Sequence, residues 1–277
     1  MKNSRQILIK ARRQIIGDRI GNNPSMFRGE GFDFIELREY ISGDDTRHID
    51  WNVTAKTGRP FVKVFREERE LNVLTVGLLG GGLHFGSEKF KIESVAEAVA
   101  LIGYSAVANG DMYGHCNYSE ALRDEIRPSK KRFSVQQSVE SVLNAEILHR
   151  RVDLNLAVKE LYRRIKRRSL IVLVGDFFEI PDLRVLARKH EVVAIVVRDR
   201  AEETPRPMGF TALIDPESGA VLEGDFGERS IKRYRERVRV HDHELFEMFR
   251  TSGVRATKLY TDANVIVTLR RLFEGRV

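Results

Sequence analysis

The stretch Asn72–Ser87, NVLTVGLLGGGLHFGS, decides how this 277-residue chain is read. Val73–Leu79 is almost wholly apolar and shows no polar face at helical spacing. That is the pattern of a strand buried on both sides within a parallel sheet. Gly80-Gly81-Gly82 ends the run, and Lys89–Asn109 then carries a helical pattern. Strand, glycine loop and helix in that order make one unit of a doubly wound fold, whose ligands bind beside the carboxyl ends of the strands. The loop after Val73–Leu79 is the first place to look for a site.

Working outward, Leu170–Gly175 and Val192–Val197 are two further continuous apolar strands, ending at Asp176 and Asp199. Helical spacing marks Ile92–Ala108, Val135–Leu148, Leu154–Lys166, Arg229–Ser252 and Ala263–Phe273, while Pro181 and Asp182 open a short helix. Met112–Tyr118 and Ala256–Tyr260 read as strands, and Gly209–Leu222 as a hairpin turning at Asp215–Gly219. This alternation predicts an α/β domain over residues 71–277, a doubly wound, mostly parallel sheet flanked by helices. Residues 1–70 read differently. Ile7, Leu8, Ala11 and Ile15 give a short amphipathic helix, and Gly17–Gly31 a loop. Phe32–Ile41, His48–Lys56 and Phe61–Arg66 look like strands, making a small β-rich N-terminal region.

Composition narrows the function classes. With 42% hydrophobic residues the chain can bury a substantial core, and no apolar run is long enough to cross a bilayer. One cysteine, Cys116, fits a reducing compartment, and the basic opening MKNSRQILIKARRQ lacks the apolar stretch and small-residue cleavage site of a secretion signal. The expected location is the cytoplasm. A net charge of +7 is concentrated in Arg127–Arg132, Arg163–Arg168 and Arg229–Arg239. These runs suit solvated helix faces, an acidic partner or nucleic acid.

A dense polar constellation lies in the N-terminal region: Arg38, Tyr40, Gly43, Asp44, Asp45, Arg47, His48, Asp50 and Trp51. Three carboxylates and a histidine are compatible with a metal or with acid–base chemistry. The interleaved arginines instead favour ion pairs, and Gly-Asp-Asp is ordinary turn chemistry. On an extended His48–Trp51, Trp51 faces the core with Ile49 and anchors the β-rich region. The segment reads as a structural staple, with a partner surface as the alternative. Elsewhere, His84 is a lone loop histidine and Cys116 a small buried residue. His241 and His243 stand two apart on a helix and diverge.

Arg38-Glu39-Tyr40, Gly43-Asp44-Asp45-Thr46-Arg47-His48-Ile49-Asp50-Trp51 and Phe65 through Glu68 together resemble the signature of the domain of unknown function 58 family. Val174-Gly175-Asp176-Phe177, Arg198 through Glu202 and Asp215-Pro216-Glu217-Ser218-Gly219 fall where that family has its SDF, DPxE and DxExG patterns. The resemblance spans roughly Arg28 to Phe273. It implies a fold similar to the von Willebrand factor A domain, and a partnership with a MoxR-type AAA+ ATPase.

It also implies a comparison at the opening stretch. A von Willebrand A domain holds Mg²⁺ through Asp-x-Ser-x-Ser, a Thr and a second Asp, a hard oxygen-donor set. Matched on Phe85-Gly86, those first three positions fall on Leu78, Gly80 and Gly82, which lack oxygen-bearing side chains, leaving Asp176 at the second-Asp position. The metal site is expected to be degenerate, with no metal and no cofactor. Asp176 is read either as a site group or as a cap or ion-pair partner. The run Gly80–Gly82 has neither GK[ST] nor GxGxxG to mark a nucleotide site. No Ser/His/Asp, Cys/His or two-carboxylate arrangement is evident. The expectation is a non-catalytic adaptor. The alternative is a nucleic-acid binder or hydrolase using the basic helices or Asp176.

Overall fold

The computed structural model describes residues 4–20, 34–65 and 70–274. They fall into two compact units, Arg28–Glu70 and the rest of the chain. In order, the elements are α1 (Ser4–Ile20), β1 (Phe34–Glu39), α2 (Trp51–Thr57), β2 (Phe61–Phe65), β3 (Asn72–Leu78), α3 (Lys91–Ala108), β4 (Met112–Tyr118) and β5 (Leu122–Ser129). Then follow α4 (Arg132–Leu143), α5 (Leu154–Arg164), β6 (Leu170–Gly175), α6 (Arg184–Lys189), β7 (Glu191–Arg198) and α7 (Arg200–Glu203). The chain continues with β8 (Gly209–Ile214), β9 (Val221–Phe226), α8 (Glu228–Thr251), β10 (Arg255–Tyr260) and α9 (Val265–Glu274).

The larger unit is built on a six-stranded sheet in the order β10-β7-β6-β3-β4-β5, parallel except for β5. Period-2 alternation sends successive side chains to opposite faces. Val172 and Val174 join one core with α3, and Ile171 and Leu173 join the other with Leu154, Leu245 and Phe249. Both faces are covered, which is why β3, β6 and β7 read as unbroken apolar runs.

The chain builds outward from β3 to β4 and β5, then returns to add β6, β7 and β10 on the other side. The strand order therefore reverses between β3 and β6. In open α/β sheets this is the place where a crevice forms at the carboxyl ends. It lies at the glycine loop and at Asp176.

Several expectations need correction. α1 does not belong with the N-terminal region of residues 1–70. Ile7, Ala11 and Ile15 are buried in the core that holds Val95 and Val99, so the helix is part of the larger unit. The basic stretch at 127–132 contains the end of an antiparallel edge strand, β5, whose polar composition LRDEIRPS hid it. The helix expected over 135–148 runs instead from Arg132 to Leu143.

The small unit pairs β1 with β2 antiparallel. The segment 48–56, expected as a strand, is mainly helical. Thr46–His48 is a short 3₁₀ turn, and Asp50 caps α2 by accepting from the Asn52 and Val53 N–H groups. Gly58, left-handed at φ +70°, closes the helix. Helical geometry removes the alternation that pointed Trp51 inward. Its side chain is 69% exposed, so Trp51 is not the core anchor of this unit. Val62, on β2, is buried.

Candidate functional site

The crevice between β3 and β6 is filled from within. After β3, residues 81–84 form a 3₁₀ turn, and the 215–219 turn of the β8–β9 hairpin lies over it. A Cβ on Gly81 would lie 2.2 Å from the Pro216 carbonyl oxygen, and one on Gly80 2.9 Å from Glu217 Oε1. A Cβ on Gly82 would lie 2.5 Å from Asp176 Oδ2. At Gly81 the obstruction is backbone, so that glycine marks a close crossing of two chain segments, while at Gly80 and Gly82 it is the carboxylate ends of Glu217 and Asp176. The Gly81 N–H donates to the Arg150 carbonyl at 2.9 Å, and the Leu83 N–H to Gly80 at 3.1 Å. Those amides are committed to the protein and do not form a phosphate cradle.

Beside the loop sits a cluster that sequence reading missed. Lys91 begins α3, yet its side chain is fully buried. Its ammonium donates to Glu202 Oε1 at 2.5 Å and reaches Asp176 Oδ2 at 3.5 Å. Glu202 is held in place because α7 has a capping box: its Oε2 accepts from the Asp199 N–H at 2.9 Å. Burial pushes the Glu202 carboxyl above the usual range, and Lys91 opposes the rise. Glu217 is also raised, first by burial and then by the neighbouring Asp176 and Asp215 carboxylates.

A second buried cation, Arg198 at the end of β7, braces the same corner. It donates to the Asp176 carbonyl through Nη1 and to Asp242 Oδ1 through Nη2 at 3.1 Å. The Phe178 ring lies over both cations, 5.1 Å from Lys91 Nζ and 4.2 Å from the Arg198 guanidinium carbon. Asp242 also accepts from Lys258, which pairs with Glu203. Burial pushes Asp242 upward, but Lys258 and Arg198 outweigh it and hold the carboxyl low. Asp199 accepts from Ser87 N–H and hydroxyl, the Thr261 hydroxyl and Ala201 N–H. Burial raises it, yet these donors win and bring it to about 2.

Asp176 is thus an ion-pair partner of Lys91. Leu78 is buried in the core, and Gly80 and Gly82 lie against Glu217 and Asp176. His241 Nε2 is bonded to the Phe177 carbonyl at 3.0 Å, while His243 is exposed. His84 is exposed and stacks on Phe90. Cys116 is buried, its thiol pushed up to about 12 by burial. Among the described residues no group of three or more His, Cys, Asp and Glu side chains is placed to hold a metal ion.

In the small unit the polar residues build the unit itself. Arg38 makes a two-pronged bond to Asp44, 2.7 Å on each side, and Asp44 also accepts from the Ile41 N–H. Asp45 pairs with Arg47 and caps the 3₁₀ turn; both carboxyls are held low by their arginines. Asp50 adds an ion pair with Lys63 at 3.0 Å to its capping role, and this too lowers it. Gly43 is left-handed at φ +111°, and the Tyr40 N–H donates to Pro60. What the unit turns outward is Ile41 and Trp51, 63% and 69% exposed.

Fold and site define a mostly parallel α/β protein whose strand-order crevice is closed by its own ion pairs and hairpin. The chain belongs to the family described as "Protein of unknown function DUF58", whose model matches residues 36–244. An uncharacterised protein of Mycobacterium tuberculosis is 26% identical over 279 residues, covering 98% of this chain and 88% of its own. A second, from Mycobacterium avium, is 28% identical over 131 residues, 46% of this chain and 77% of its own. Among solved structures, conserved hypothetical protein BatB from Bacteroides thetaiotaomicron aligns with a TM-score of 0.46 at 10% identity, over 74% of this chain and 98% of that one. An aerotolerance-related membrane protein from Bacteroides fragilis aligns at 0.44 and 10% identity, over 74% and 97%. In the present chain, no helix among the described residues is long and apolar enough to cross a membrane.

Proposed function

We propose that this protein is a non-catalytic docking module of von Willebrand A-like type that works in the cytoplasm with a MoxR-type AAA+ ATPase. The observation that carries the reading is Lys91. Its ammonium occupies the Asp176 carboxylate at the strand-order crevice, the group a bound cation would otherwise neutralise. With Leu78, Gly80 and Gly82 supplying no side-chain oxygen, the site is a degenerate one that captures nothing through a metal.

Affinity then rests on surface contacts. Arg229, Lys232, Arg233 and Arg237 on α8 are exposed and have no ion-pair partner among the described residues. Such a row steers an acidic partner face. The same row is the specific feature favouring the second reading, a nucleic-acid binder.

The test is capture of a purified MoxR-type ATPase by this protein, nucleotide-free, at low and high salt and with or without EDTA. Salt is expected to weaken capture and EDTA to leave it unchanged. Arg233→Glu with Arg237→Glu is expected to slow association on the order of tenfold at low salt. Short duplex DNA or RNA bound tightly while the ATPase is ignored would replace this reading with the second.

A further inference from the structure

The β8–β9 hairpin is a two-stranded sheet on its own, and its two strands are protected unequally. β9, VLEGDF, carries Glu223 and Asp225, and α8 packs beside it. β8, GFTALI, has no charge and no proline. Proteins ordinarily blunt a free strand edge with charge, proline or a bulge, because its unpaired N–H and C=O groups are a template for another strand. None of those devices is present on β8.

The register shows which groups are unpaired. The Asp215 N–H donates to Ala220 O at 2.9 Å, so the bonded pairs alternate from there through Leu213↔Leu222 and Thr211↔Gly224. The N–H and C=O groups of Phe210, Ala212 and Ile214 therefore point away from β9. Among the described residues, no backbone group of β8 bonds outside the hairpin. The same three residues share one face of the strand. Phe210 and Ile214 are 79% and 69% exposed there.

We propose that β8 is a self-association strand that pairs antiparallel with β8 of a second copy of this chain. The symmetry of the strand selects that occupant. A two-fold axis through Ala212 places Phe210 opposite Ile214 of the other copy twice over, an aromatic against a β-branched residue. On the reverse face it sets Thr211 opposite Leu213. No like charges meet, whereas β9 paired with itself would bring its acids Glu223 and Asp225 together. Both hairpins then join into one four-stranded sheet. A six-residue strand buries less area than a standard stable interface, so the dimer is weak and concentration-dependent.

The test is sedimentation velocity on the full chain from low to high micromolar concentration. The wild type is expected to shift from 31.8 kDa toward twice that mass as concentration rises. Ala212→Lys and Ala212→Glu each set two like charges on the axis and are expected to stay monomeric, with unchanged melting temperatures. Mixing those two variants is expected to restore the dimer, because the charges then complement one another. Phe210→Ser serves as a second disruptive variant should either charged one fold poorly. A wild type that stays monomeric throughout would overturn the proposal. So would a dimer that survives Ala212→Lys, or variants that fail to recombine on mixing.

Discussion

Lys91 Nζ lies 3.5 Å from Asp176 Oδ2, joining the first turn of α3 to the carboxyl end of β6 across the point where the strand order reverses. The same ammonium binds Glu202 at 2.5 Å, and its side chain is fully buried. A lysine in that setting persists only because its charge is met on two sides.

Breaking the cluster is therefore costly. Lys91→Met leaves Glu202 and Asp176 without their shared cation, and is expected to lower unfolding stability by about 3–5 kcal/mol. Urea denaturation of the variant against wild type measures it. A loss below about 1 kcal/mol would show that the carboxylates find other partners or water, the range usual for an exposed pair.

Acid sensitivity should begin above the carboxylate range. His115 is fully buried between Thr75 and Asn117, whose amide also reaches Asp124. Burial brings His115 from 6.5 to about 4, the Asn117 bond and Asp124 only partly opposing it. Between those values the unfolded chain holds a proton the folded state does not, so stability falls as pH drops through the window. A shift of that size corresponds to about 3 kcal/mol lost by pH 4. Denaturation midpoints at pH 7, 5.5 and 4.5 should decline steadily. His115→Gln should flatten the decline, and a curve identical to wild type would assign it elsewhere.

Trp51 is a spectroscopic handle. It is the chain's one tryptophan and is 69% exposed. Its fluorescence should be red-shifted and readily quenched by iodide. Trp51→Ala should change stability by no more than about 0.5 kcal/mol, as for other surface substitutions. Emission typical of a buried indole, or a loss of several kcal/mol on substitution, would return Trp51 to the core.

What the sequence revealed follows from how strongly each element depends on its own residues. β3, β6 and β7 are buried on both faces and so are apolar throughout, and the β8–β9 hairpin declares itself by its turn residues. β5 is an edge strand of mixed polarity, with no such signal. α2 is capped by two hydrogen bonds to Asp50, against an alternation that suggested a strand. Within the site, Asp176 and the glycine loop were legible because strand ends are legible. Lys91 was not, since one lysine among 47 basic residues carries no mark of its burial. Its partners come from 111 and 85 residues away.

The most direct test of a docking module without a captured cation is calorimetric titration of the purified protein with Mg²⁺ and with Mn²⁺. Lys91 already holds Asp176 in an ion pair, and Leu78, Gly80 and Gly82 supply no side-chain oxygens. The expected result is heat of dilution alone through millimolar concentrations. Saturable one-to-one binding that is lost in Asp176→Asn would contradict the account at its centre, because it would mean that Lys91 yields Asp176 to a metal.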